Sequence, residues 1–178
     1  MYQILIITGP SGVGKTVLSE HLLEQKTFKR CITCTSRVPR PKEKDGVDYF
    51  FLTPEEFKVT RESGGFVEYS QHYQAEYGIR QIDLESVLQK GHVLLVLDCG
   101  GAKAVVKQYP SHSVFIAPPS IEALEERLVK RSGSAKDRII YAAKEMEQQK
   151  HFDHVLVNKD LESAKQAISD WADQIINS

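Results

Sequence analysis

Gly9-Pro10-Ser11-Gly12-Val13-Gly14-Lys15-Thr16 fits Gly-x-x-x-x-Gly-Lys-[Ser/Thr] at every fixed position, and it lies between an apolar run and a helix-like one. A loop that wraps a polyphosphate must turn its own amides inward, which requires backbone angles open mainly to glycine and no Cβ at the closest approach. Gly9, Gly12 and Gly14 supply that freedom, with Pro10, Ser11 and Val13 at the variable positions of the same ATP-type loop. Lys15 can reach the β- and γ-phosphate oxygens, Thr16 can offer its hydroxyl to Mg²⁺, and the N-terminus of the next helix adds partial positive charge. Upstream, Tyr2 to Thr8 is a β-branched run suited to a buried parallel strand. Downstream, Val17 to Leu23 has helical apolar spacing.

The chain has 178 residues, 41% hydrophobic and 26% charged, the size and composition of one domain with a sizeable core. Its 23 Lys plus Arg against 24 Asp plus Glu leave a net charge of −1, which gives no field-level case for nucleic acid or an acidic membrane. Any anion site is therefore local. No apolar stretch approaches the ~20 residues of a membrane span, and the first residues lack signal-peptide order, so a cytoplasmic protein is expected. Cys31, Cys34 and Cys99 make no disulfide framework. Cys31 to Thr35 reads as a strand, in which residues three apart face opposite sides, so Cys31 and Cys34 are expected as separate reduced thiols. His151 and His154 lack further ligands at helical spacing and are expected to be ordinary histidines.

Ser36 to Val47 carries two prolines, a glycine and four basic residues, and reads as a stiff extended loop. In such a segment a three-residue step returns side chains to one side, so the forks of Arg37 and Arg40 can close on a single phosphate. Asp48 to Leu52 resumes a strand, Thr53-Pro54-Glu55-Glu56 is a capping box opening a helix to about Glu62, and Ser63-Gly64-Gly65 stops it. Phe66 to Ser70 then reads as a strand with Glu68 pointing opposite to Val67 and Tyr69. That carboxylate can accept from the N1–H and exocyclic amine of guanine. Gln74 to Ile79 reads as a turn and short strand, followed by a helix over about 81–89 and a stop at Gly91. His92 to Asp98 is a buried strand ending where Mg²⁺ or its waters are held beside a phosphate loop. A helix over Ala102 to Gln108, a strand over Ser113 to Ala117 and a helix capped by Ser120 follow. Arg127, Lys130, Arg131, Lys136 and Arg138 flank Ser132-Gly133-Ser134, as a lid closing over phosphates requires. A helix over about 137–149, a strand over His154 to Val157 and a helix over Asp160 to Ile176 complete a β-α alternation that predicts a parallel sheet covered on both faces.

Together these residues resemble a guanylate kinase over the whole chain. The resemblance is carried by the loop at 9–15, by Thr-Ser-Arg-Val-Pro-Arg-Pro at 35–41 with Glu43 and Gly46-Val47-Asp48-Tyr49, by Phe66-Val67-Glu68 and by Tyr77-Gly78. Ala117-Pro118-Pro119-Ser120 and Phe152 to Asn158 add to it. It implies an α/β P-loop NTPase fold in three layers, with a parallel core sheet at about 1–34, 92–127 and 140–178. A small mixed α/β acceptor-binding insertion at 35–91 and a short lid at 128–139 would complete the single domain. The implied reaction is phosphoryl transfer from ATP to GMP with Mg²⁺ at Thr16 and Asp98. Arg37, Arg40, Tyr49 and Tyr77 would hold the GMP phosphate with Glu43 in the same loop, Thr33 and Glu68 would read guanine with Asp98 beside them, and Lys15, Arg37, Arg131 and Arg138 would serve catalysis. The implied partners are small nucleotides, with neither nucleic acid nor membrane.

Four departures stand out. Ile79 replaces the hydroxyl that usually contacts the base, so the base is expected to meet an apolar side chain there. Val96 and Gly100 replace an Asp and a Gln of the acidic segment, Lys42 replaces a Gly, and the lid is short. A kinase for another phosphorylated acceptor, such as a sugar phosphate, and an inactive interaction module are the alternatives; the latter characteristically lose the lysine kept here as Lys15.

Overall fold

The first strand, β1 (Ile4–Thr8), is buried along its whole length because it is paired on both sides. The computed structural model describes residues 2–25, 27–72, 75–132 and 136–177, and the side chains among them other than those of 72, 130–132 and 136–138. After β1 come α1 (Lys15–Glu24), β2 (Phe28–Arg30), β3 (Cys34–Thr35), β4 (Phe50–Phe51), α2 (Pro54–Glu62), β5 (Phe66–His72), β6 (Ala75–Arg80) and α3 (Gln81–Leu88). The second half runs β7 (His92–Val96), α4 (Cys99–Gln108), β8 (His112–Ala117), α5 (Ile121–Ser132), α6 (Lys136–Met146), β9 (His154–Val157) and α7 (Leu161–Ile176).

The core sheet has the order β2-β7-β1-β8-β9 with every pair parallel. Side chains alternate across a strand, so Leu5 and Ile7 of β1 enter one apolar cluster while Ile4 and Ile6 enter the other. The first cluster is closed by Leu18 and Leu22 of α1, Leu124 and Leu128 of α5, and Ile168 and Ala172 of α7. The second is closed by Leu84 of α3 and by Ala102 and Val105 of α4, together with Val67 and Ile79 from a second sheet. That sheet has the order β4-β3-β6-β5, with β3 parallel to β4 and the other pairs antiparallel. It lies against α4, where the Gln108 side-chain amide donates to the Val67 carbonyl at 2.7 Å.

The strand expected over 31–35 divides in two. Phe28 to Arg30 forms the edge of the core sheet, unmarked in the sequence reading, and Cys34 and Thr35 belong to the second sheet. The chain crosses between sheets at residues 31–33, and no Gly or Pro marks the crossing, so the continuous apolar pattern conceals it. Cys31 and Cys34 therefore do not face opposite sides of one strand. Both are buried, and burial pushes their thiols up to about 12 and about 11. All three cysteines are free. His154 stacks on Trp171 at 5.3 Å between ring centroids. Among the described residues no helix is long and apolar enough to cross a membrane.

Ile79 is 1% exposed within the second cluster. Replacing it with Ser removes buried methyl groups and buries a hydroxyl, so Ile79→Ser should lower the unfolding free energy by about 3 kcal/mol. Urea titration measures this, and a loss below about 1 kcal/mol would show that the side chain is not core.

Candidate functional site

Three parallel strands, β7, β1 and β8, end side by side, and the loop 9–16 leaves the central one. Gly9 takes φ 132, and a Cβ there would stand 2.3 Å from the Ile116 carbonyl oxygen of β8. Only glycine fits so close an approach. Gly14 caps α1 in the left-handed region at φ 100. Val13 is buried, and the Asn158 amide after β9 donates to its carbonyl at 2.8 Å. The Lys15 ammonium donates to the carbonyls of Gly9 at 2.6 Å and Pro10 at 2.8 Å. Its surroundings lower its pKa chiefly by desolvation, while Glu145 of α6, Cys99 and Asp98 act in the other direction. Thr16 and Ser11 are exposed at the mouth of the loop.

A cavity of about 180 Å³ brings together Thr33, Tyr49, Glu68, Tyr77 and Asp98, with Ser70, Val96 and Leu97 completing its wall. Sequence reasoning missed Ser70, and its only signal was its place two residues beyond Glu68. Phe66 lies opposite Arg80 while Glu68 lies opposite Ile79, so β5 carries one extra residue, a bulge. The bulge sends Val67 to the core and Glu68 to the cavity. Glu68 is 7% exposed, and its carboxyl is pushed up to about 7 by burial first and by Asp98 second.

Asp98 is not the end of a strand, as expected, because β7 stops at Val96. It caps α4, whose first turn begins three residues earlier than Ala102, and its Oδ1 accepts from the Gly101 N–H at 2.7 Å. A Cβ on Gly101 would stand 2.7 Å from Glu68 Oε2. The missing side chain of Gly101 is therefore the room that the Glu68 carboxylate occupies. Ile79 does not line the cavity. It faces the core, which corrects the expectation that a base would meet an apolar side chain there.

The arginine loop bends at Ser36 and Arg37 and turns again at its far end. The Glu43 N–H donates to the Arg40 carbonyl at 3.0 Å, closing a turn with Pro41 second and Lys42 third at φ 79. That third position favours glycine, which is the physical meaning of the Lys42 departure. The Glu43 carboxylate accepts both arms of the Arg37 fork at 2.9 Å each and the Arg40 N–H at 2.7 Å. Arg37 is forked onto Glu43, with its guanidinium 5.5 Å from the centre of the Tyr49 ring, while Arg40 is exposed. Hydrogen bonding to Glu43, and beyond it to Tyr77, keeps Arg37 protonated above its ordinary range, and Arg37 holds Glu43 below its own. The Arg37 Nε is buried with no hydrogen-bond partner among the described residues. Arg127, grouped by sequence with the lid cations, donates to the Asn158 carbonyl at 3.1 Å. The side chains of Arg131 and Arg138, and residues 133–135 between them, lie outside the described residues.

The guanylate kinase family model matches residues 1–174. The chain belongs to the guanylate kinase family. It is 41% identical over 173 residues to a guanylate kinase of Hyphomonas neptunium, covering 93% of this chain and 80% of that one. It is 40% identical over 179 residues to a guanylate kinase of Wolbachia sp. subsp. Brugia malayi, covering 96% and 92%. A crystal structure of guanylate kinase from Anaplasma phagocytophilum superposes with a TM-score of 0.76 at 32% identity, over 95% of this chain and 83% of that one.

A carboxyl raised from 4.5 to about 7 binds its proton more tightly in the folded state than in the unfolded one. The favourable contribution is therefore complete below about 4.5 and lost as pH rises through about 7. Relative to Glu68→Gln, wild-type stability should fall over that window and stay level above it. Thermal unfolding of both proteins from pH 5 to 8 checks this, and parallel curves would contradict the buried carboxylate.

Proposed function

We propose that this guanylate kinase family member transfers the γ-phosphate of ATP to GMP, giving ADP and GDP. The observation that carries the acceptor assignment is Glu68, a buried carboxylate turned into a cavity beside the phosphate loop. Two carboxylate oxygens match the N1–H and exocyclic amine of guanine, a donor pair that adenine and a sugar phosphate lack. Those donors favour the ionised form, so a carboxyl near neutrality is drawn to its anion by the base it reads.

The acceptor's phosphate lies toward Arg37, Arg40, Tyr49 and Tyr77. Glu43 fixes Arg37 in place while leaving its buried Nε for a phosphate oxygen. On the donor side, the amides of residues 9–16 cradle the triphosphate. Lys15 exchanges the carbonyls of Gly9 and Pro10 for phosphate oxygens, a charge-assisted contact stronger than the neutral ones it leaves. Arg131 and Arg138 steady the transferring phosphoryl group from the ends of α5 and α6. The hydroxyl of Thr16 and the carboxylate of Asp98 are hard oxygen donors, the kind Mg²⁺ takes one or two of when it also binds phosphate and water. When bound there, Mg²⁺ neutralises charge on the phosphates.

Phosphoryl transfer depends on positioning and electrostatic stabilisation, so removing one ammonium should be costly. Lys15→Ala should lower kcat in a coupled assay with ATP and GMP by at least about a hundredfold, with unchanged thermal unfolding. Equal turnover by variant and wild type would remove the enzyme reading, and a wild type that prefers AMP would remove the acceptor assignment.

A further inference from the structure

Most hydroxyls around the second sheet are already engaged. Thr35 donates to the Glu76 carbonyl at 3.0 Å, and Ser36 accepts the Glu76 N–H at 2.9 Å. Ser70 differs. It is half-buried on the cavity wall, and its Oγ has no hydrogen-bond partner among the described residues. Beyond the bulge the strand alternates regularly, so Ser70 shares the face of Glu68, two residues earlier. Across the ladder Ser70 lies opposite Tyr77, which bonds to Arg37, while Glu68 lies opposite Ile79. The hydroxyl thus stands between the carboxylate that faces the base and the groups that face the phosphate. Ile79 is committed to the core and brings no polar atom to this face.

Resting on the reading of GMP as acceptor, we propose that Ser70 is a specificity-determining residue whose hydroxyl donates a hydrogen bond to guanine O6. Glu68 takes the N1–H and the exocyclic amine, and the atom next to N1 on the same edge is O6, an acceptor. A carboxylate that accepts from N1–H and the amine has no proton to give O6, so Glu68 cannot serve, and the Asp98 Oδ1 is an acceptor at the α4 cap. Val96 and Leu97 are apolar, and Tyr77 is engaged with Arg37. Of the remaining hydroxyls on the wall, Tyr49 lies with the phosphate-facing groups and Thr33 comes from the crossing between the sheets, while Ser70 is the one carried on the same strand and face as Glu68.

Ser70→Ala should lower kcat/KM for GMP about tenfold or more through KM, with the ATP KM and the thermal unfolding unchanged. Ser70→Thr, which keeps the hydroxyl, should recover most of the loss. The decisive comparison uses 6-thioguanosine monophosphate, in which sulfur, a weak acceptor, replaces O6. There the Ser70→Ala penalty should shrink to below about threefold. An equal penalty on both substrates, or none on GMP, overturns the assignment. A wild type inactive on GMP but active on another nucleotide overturns the acceptor reading and this proposal with it.

Discussion

Helix α4 and strand β5 approach so closely that the Glu68 carboxylate occupies the space a side chain at position 101 would take. At Gly101 a Cβ would fall 2.7 Å from Glu68 Oε2, and at the other end of the same helix Gln108 holds the Val67 carbonyl at 2.7 Å. Between those points the bulge turns Val67 into the core and Glu68 into the cavity. One seam therefore ties the second sheet to the parallel core and sets the depth of the carboxylate. Its energetic signature is a carboxyl driven to about 7 by desolvation and by Asp98, both arising where β5 meets the start of α4. The fold holds an ionisable group in a state that is unfavourable alone and favourable against a partner with two donors.

The phosphate loop depends on a second close approach. Because β1 is paired with both β7 and β8, the loop leaving it runs beside the Ile116 carbonyl, and Gly9 is the residue that permits this. The same pairing brings the end of β7, and Asp98 beyond it, to Lys15. Asn158, reached because β9 lies next to β8, braces the loop through Val13. The phosphate loop and the cavity are thus joined through the ends of neighbouring parallel strands rather than through long loops.

Much of this was legible in the residues, and the rest was hidden for identifiable reasons. The phosphate loop was readable because its glycines are required by backbone geometry, and the parallel core because Ile4 to Ile7 can only be covered on both faces. Alternation puts Glu68 opposite both Val67 and Tyr69, whereas Val67 and Glu68 are both buried against α4 and only Tyr69 is exposed. It could not show the bulge, because an extra residue leaves no mark in a strand pattern unless a glycine sits there. The crossing at 31–33 was invisible for a similar reason. Asp98 was read as the end of a strand because Leu97 extends the apolar run past the last paired residue, whereas the cap depends on Gly101 offering its N–H. Ile79 illustrates the limit of resemblance, because its burial among Val67, Leu84 and Val105 is set by the packing of the two sheets and α4, which no motif spacing reveals. Ser70 was passed over because a serine on a strand carries no signal until its face and its neighbours are known.

If the buried Glu68 carboxyl reads guanine, it must give up its proton to do so. Calorimetric titration of GMP at pH 7, repeated in buffers of different ionisation enthalpy, counts the protons released on binding. A group with a pKa of about 7 is half protonated at that pH. The Glu68-dependent release, taken as wild type minus Glu68→Gln, should therefore be about half a proton per GMP bound. Identical proton release by the two proteins would show that Glu68 gives up no proton to the base.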